Sequence, residues 1–239
     1  MAIYGYDASA WGIWQLRGSD CLEHLHNQTT QDLRDREPGT GCETALVNGT
    51  ARLIDLLTVY VCEGYVWLVS APTTPLETTL GRFLPFTQSV LERQTCYCFI
   101  LWGDDLEAAL GDWSLPGPNW GDHCDAAGLT IARGTPIAQA GLTLLARDRP
   151  TLPSITWLEA AAWEDLRIRQ GRPWPGHELI DDYNPLEANL GQTLSLTKGC
   201  YLGQETITRL HTYKGLKQQL WGLDATDIFT PGSPISSSS

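Results

Sequence analysis

The stretch that decides the fold is "CETALVNGTARLIDLLTVYVCEGYVWLVSA", Cys42 to Ala71. Two apolar runs flank Asn48-Gly49, and two more flank Glu63-Gly64. Glycine reaches positive φ without a Cβ clash, so both dipeptides suit tight turns between antiparallel strands. Upstream, "SDCLEHLHNQTTQDL" opens with a good helix cap, Ser19, and sets Leu22, Leu25 and His26 on one face of a short helix. Downstream, "TTPLETTLGRFLPF" predicts a helix with Pro75 in its first turn, "TCYCFILWG" another strand, and "DDLEAALGDW" a short capped helix. This run of hairpins and helices predicts an α+β architecture rather than a doubly wound parallel sheet.

Further along, "LPGPNWGDHCDAAG" (115–128) reads as a loop or surface excursion. "SITWLEAAAWEDLRIRQGRPWPG" predicts a helix capped by Ser154 or Thr156 and stopped by Gly171 and Pro173. "LKQQLWGLD" (216–224) predicts a strand, and "TPGSPISSSS" a disordered, low-complexity end. No internal repeat is visible.

Composition bounds the function classes. With 239 residues, the chain can bury a sizeable core as one large domain or two small ones. At 42% hydrophobic and 18% charged it reads as globular. A formal net charge of -12 repels polyanions, which argues against nucleic-acid and anionic-membrane partners. The first twenty residues lack the basic and apolar regions of a secretory signal, and no apolar run approaches the ~18 residues of a membrane span. Seven scattered cysteines fit free thiols in a reducing cytoplasm. Cys96 and Cys98 fall on one face of a strand, and without a second pair at ligand spacing they read as buried apolar groups rather than zinc ligands.

"TKGCYLGQETITR", Thr197 to Arg209, is the candidate site. Gly199 and Gly203 permit a tight turn, and "GQETITRLHTY" can start a helix whose first amides point back over the loop. Cys200 then lies near a helix N-terminus and within reach of Lys198, both of which favour a thiolate. The bland alternative is that Cys200 fills a small pocket and Lys198 is a solvated charge. Residues 198–217 also invert the overall charge, with Lys198, Arg209, Lys214 and Lys217 against Glu205 alone. That patch suits a small polyanion or an acidic partner, or it is only a solvated face.

"KGCYLGQE", Lys198 to Glu205, resembles the signature K-G-C-[FY]-x-G-Q-E of the YgfZ family, folate-binding relatives of the glycine-cleavage T-protein, an aminomethyltransferase. "LHNQTTQDLRDREPGTGCETALVNGTARLIDLLTV" and "LRIRQGRPWPGHELIDDYNPLEANL" resemble that family's segments in the expected order, so the likeness spans most of residues 12–223. It implies aminomethyltransferase-like α+β modules around a central channel that accepts tetrahydrofolate, with residues 1–215 forming the folate-binding region. A carboxyl-terminal β-barrel follows the signature in the family. Here residues 216–239 would supply only its first strand and a tail, so the barrel is truncated or absent.

The resemblance also assigns roles. Cys200 would be the redox or transfer residue, with Lys198 as its electrostatic partner and Gln204 and Glu205 holding the loop. Asn48, Asp55, Arg167, Arg169, Glu187, Tyr201, Gln204 and Glu205 would line the folate site. The T-protein's segment N-x-x-x-x-[IV]-[IL]-D-D-L-I-V becomes "NGTARLIDLLTV", which keeps Asp55 and puts Leu56 in place of the second acid. Asp55 is then either a pocket carboxylate or an ordinary outward residue of an alternating strand. Relatives carry L-R-[LI]-E-x-G, whereas "LRIRQG" places Arg169 where that glutamate accepts hydrogen bonds from the pterin. Arginine has donors only, so another acid such as Glu178 or Glu187 takes over or folate affinity is reduced; alternatively Arg169 attracts the glutamate tail. The implied function is a folate-dependent accessory protein for iron–sulfur cluster assembly or repair, whose partners are a folate-type small molecule and iron–sulfur enzymes or assembly proteins. The alternatives are an aminomethyl transferase using Asp55, or a scaffold that has lost its ligand.

Overall fold

A computed structural model describes residues 2–126, 128–137, 140–223 and Gly232 of the chain. The stretch 42–71 forms three consecutive antiparallel strands, β3 (Thr40–Val47), β4 (Leu53–Cys62) and β5 (Tyr65–Ser70). Glu63 and Gly64 make the tight turn between β4 and β5, with Gly64 at φ 78°. The β3–β4 connection is longer, because the Asn48 carboxamide accepts from the N–H groups of Thr50 and Arg52 and holds the turn open. These strands join β2 (Gly12–Arg17) and β6 (Val90–Arg93) in a five-stranded sheet of order β3-β4-β5-β2-β6.

A second, six-stranded sheet contains β1 (Tyr4–Asp7), β7 (Tyr97–Trp102), β8 (His123–Ala126), β9 (Leu129–Arg133), β10 (Leu142–Ala146) and β11 (Thr156–Trp157). Its order is β11-β1-β7-β10-β9-β8. The two sheets pack face to face. Tyr60, Cys62, Trp67 and Val69 of the first share one core with Cys98, Ile100, Ala132 and Leu145 of the second. The outer face of the five-stranded sheet is covered by α1 (Cys21–Gln28), by α2 (Leu76–Thr79) and by the 3-10 turn Gly81–Phe86. The outer face of the six-stranded sheet is covered by α3 (Leu106–Leu110). Period-two alternation does the sorting: Leu57, Val59 and Val61 of β4 face the helices, while Tyr60 and Cys62 face the other sheet. Both faces are buried, which is why these strands read as nearly continuous apolar runs. Cys96 and Cys98 do share the inter-sheet face.

Four local expectations are corrected. Ser19 does not cap α1; its hydroxyl donates to Gln88, and Asp20 stands at the N-cap. Part of the expected loop 115–128, His123–Ala126, is β8, an edge strand too short to show alternation. Thr156 caps no helix: it pairs in parallel with Tyr4 as part of β11, and α4 (Ala160–Arg169) starts after Glu159. That pairing is long-range, so no local pattern announces it. Residues 216–223 form no strand; the Leu220 N–H donates instead to the Glu187 carbonyl. Residues 224–231 and 233–239, where the low-complexity end falls, lie outside the described residues.

Candidate functional site

A cavity of about 550 Å³ opens against β3 and β4 of the five-stranded sheet and the loops beside β8 and β9 of the other. Its wall includes Gly41, Cys42 and Glu43 of β3, Leu56 of β4, Trp120, and the turn Gln170–Pro173 that follows α4. This volume falls within the ~300–1,000 Å³ typical of small-molecule sites. The turn is held by Arg167, almost fully buried, whose guanidinium pairs with Glu164 and Glu178 and donates to the Arg172 carbonyl at 3.0 Å. Those carboxylates raise the Arg167 pKa, more than offsetting its burial. Arg172 in turn forms an ion pair with Glu43 across the cavity wall. Its Nη2 donates to the Leu56 carbonyl at 3.4 Å, and its buried Nε–H has no partner among the described residues.

The signature loop is built differently. Lys198 is buried, and its Nζ donates to the carbonyls of His26 (2.5 Å), Thr29 (2.7 Å) and Gln31 (2.8 Å). The ammonium also sits 4.6 Å from the centroid of the Tyr201 ring, a cation–π geometry. Burial pulls its pKa down to about 7. Three N–H donors are thus engaged with the backbone of segment 26–31, which brings together the two motifs read separately in the sequence. Cys200 is exposed and precedes Gly203, the N-cap of α5 (Gln204–Thr212). Gly203 adopts φ 82°, and a Cβ there would press on Ala51 at 3.0 Å. Gln204 donates to the Lys198 carbonyl at 3.2 Å and so closes the loop, while Glu205 is exposed on α5.

The other sequence candidates are scattered. Asp55 is no outward residue: it is buried, with its carboxylate accepting from the N–H of Leu56 (2.7 Å), the N–H of Ala71 (2.9 Å) and the Thr74 hydroxyl (2.6 Å). Burial raises its pKa, against the lowering effect of those hydrogen bonds. Alternation turns Asp55 away from the cavity wall, where Leu56 stands. Asn48 holds its hairpin. Arg169 is exposed and paired with Asp165 on the outside of α4. Glu187 is buried and accepts from the Asn184 N–H at 3.0 Å and from Arg52 at 3.5 Å. Tyr201 is buried, and its hydroxyl has no partner among the described residues. None of the predicted site residues lines the 550 Å³ cavity. Glu43 and Arg172 were missed, since neither belongs to the signature; the turn "QGRP" beside α4 was the available signal.

No protein-family model matches the chain. It is 36% identical over 252 residues to a protein of Arabidopsis thaliana named "Putative transferase At1g60990, chloroplastic", a match that covers 96% of this chain and 58% of that protein. It is 29% identical over 269 residues to the aminomethyltransferase of Synechococcus elongatus, of which it covers 68%. The glycine cleavage system aminomethyltransferase T of Bartonella henselae superposes with a TM-score of 0.78 at 17% identity, covering 89% of this chain and 64% of that one. The fold is aminomethyltransferase-like. The chain therefore spans little more than half of its Arabidopsis relative, on two sheets arranged as in an aminomethyltransferase. Among the described residues, no helix is long and apolar enough to cross a membrane.

Proposed function

We propose that the chain is a folate-binding accessory protein of iron–sulfur cluster assembly or repair, with tetrahydrofolate in the 550 Å³ cavity and Cys200 as its outward-facing thiol. One observation favours this over an aminomethyl transferase. The cavity wall carries Leu56 where the T-protein segment has its second acid, and the neighbouring Asp55 carboxylate, the acid a transferase would use, is turned away and engaged by three donors. Glu43, the acid that does line the cavity, is held in an ion pair with Arg172. The lining suits a folate: a carboxylate, a guanidinium and glutamine side chains in a cavity of fitting size. When bound, tetrahydrofolate would supply a carrier for one-carbon units; the chain itself supplies binding, orientation and an exposed thiol. The signature's resemblance to the YgfZ family supports the iron–sulfur assignment.

The test has two arms. Titration with tetrahydrofolate should quench tryptophan fluorescence saturably, because Trp120 lines the cavity; a flat titration up to about millimolar would favour a scaffold. Cys200→Ala should fold normally and fail to rescue a strain defective in cluster maintenance. Full rescue by that variant, or measurable aminomethyl transfer by the unmodified chain, would sink the reading.

A further inference from the structure

We infer that two copies of the chain pair reciprocally, the basic, apolar strip that ends α5 and follows it in each copy seating in the acidic, aromatic cleft beside α1 of the other. The inference is independent of what the cavity holds. Residues 211–223 are all exposed. Among them Tyr213 is 78% and Trp221 75% exposed, with Leu216, Leu220 and Leu223 beside them. Thr206 to Leu223 contains no acid. Arg209, Lys214 and Lys217 make no ion pair among the described residues. This is the charge inversion read in the sequence, without Lys198, whose ammonium is buried. Contiguous exposed apolar surface of this kind marks an interaction site, and Trp, Tyr and Arg are the residues interfaces favour.

The complementary surface lies on the same molecule. Between α1 and the 3-10 turn Gly81–Phe86 is a cleft of about 300 Å³, lined by Asp20, Glu23, His24, Asn27, Phe83 and Phe86 among others. Phe86 is 86% exposed. The Ser89 hydroxyl and the Gln88 N–H hydrogen-bond the Asp20 carboxylate and hold its pKa down, so it keeps its charge. The Glu23 side chain has no partner among the described residues, and burial lowers the His24 pKa, which leaves the cleft acidic. Arg82 is engaged over the Phe83 ring, 5.5 Å from its centroid. The two surfaces flank the signature loop, because the Leu202 N–H donates to the Asn27 carbonyl at 3.1 Å and α5 starts at Gln204. None of the strip's residues lines the cleft of its own chain; the Leu220 N–H ties the strip to the Glu187 carbonyl instead. A foreign partner would match one surface, whereas a second copy related by a two-fold axis matches both at once. At a net charge of -12 per copy, association must use the place where the sign inverts. The exposed loop carrying Cys200 lies between the two surfaces, so each pair brings two such thiols to one interface.

The experiment is sedimentation equilibrium on the full chain. A monomer–dimer equilibrium should appear at about 1–100 μM and weaken as ionic strength rises from about 0.05 to 0.5 M. The double variant Lys214→Glu/Lys217→Glu should weaken pairing about tenfold or more, because each strip then meets a cleft of its own sign. Glu23→Lys should do the same from the other side. Mixed together, these two variants regain complementary charge at both contacts, so the mixture should dimerise where neither does alone. Trp221→Ala removes apolar area without touching charge and should weaken pairing by about tenfold at either salt, which keeps the test open if a charge reversal fails to fold. A monomer at every concentration overturns the inference and leaves the strip to a different, acidic partner. A dimer indifferent to these changes, or charge variants that weaken it singly and fail to rescue each other, also overturns it.

Discussion

The signature loop and the cavity wall each bury a cation, and they use it in opposite ways. Lys198 directs all three N–H donors at backbone carbonyls, so its charge is consumed in holding the loop against segment 26–31. Arg172 has one strong partner in Glu43 on the cavity wall, and its Nε–H is buried without a partner among the described residues. Asp55 repeats the pattern of Lys198 with the sign reversed, since its carboxylate ties β4 to the corner at Ala71 and Thr74. Residues in the most distinctive motifs are therefore braces, and a pair outside them faces the available space. A motif marks where geometry is demanding, and a backbone that must turn sharply is as demanding as a reaction.

Breaking the brace should have the largest effect. Lys198→Met keeps much of the side-chain volume but leaves three carbonyl acceptors without donors in a buried site. The expected loss is about 3 kcal/mol or more of stability, read by urea unfolding. A change below about 1 kcal/mol, the size of a single ordinary hydrogen bond, would mean that water replaces the ammonium and the brace is dispensable.

Asp55→Asn should cost less, about 1–2 kcal/mol, because one oxygen is kept while an NH2 group turns toward at least one of the three donors. Its diagnostic is pH. Burial raises the folded pKa of Asp55 above the unfolded value, so the folded state holds the proton more tightly. The group's stabilising contribution is full below the unfolded value of about 3.9 and is lost as pH rises through the folded pKa. The stability of the unmodified chain relative to Asp55→Asn should therefore decline as pH is raised from acid toward neutral. A difference independent of pH would show that Asp55 is not the strained carboxylate its burial implies.

How much of this was legible follows from range. The hairpin turns at Asn48 and Glu63-Gly64 and the start of α5 at Gly203 are set by neighbours in sequence, and they stand where the pattern puts them. The pairing of Thr156 with Tyr4 joins residues far apart in the chain, so a capping reading of Thr156 was locally sound and globally wrong. Lys198 shows the same limit at a site. The glycines on either side of Cys200 told of a tight turn, but not that the lysine would point inward to the carbonyls of His26, Thr29 and Gln31. Which side of β4 carries Asp55 was readable from alternation once Leu57, Val59 and Val61 were known to face the helices. The Glu43–Arg172 pair was not readable, because it joins β3 to a turn after α4 and needs the fold to exist first.

The smallest effect is expected at Arg169, and it sharpens the contrast with Arg172. Its guanidinium is exposed and forms an i,i+4 pair with Asp165 along the outer face of α4. Such pairs contribute about 0.3–0.5 kcal/mol and weaken further with salt. Arg169→Ala should shift the unfolding free energy by no more than that, with the shift vanishing at high ionic strength. Its affinity for tetrahydrofolate should equal that of the unmodified chain, measured by the same tryptophan quenching. A tenfold loss of affinity with unchanged stability would bring Arg169 back to the ligand, and would require α4 to swing its outer face toward the cavity on binding. The two arginines lie close together in sequence at the end of one helix, so the pair of measurements decides which face of that helix end the ligand touches.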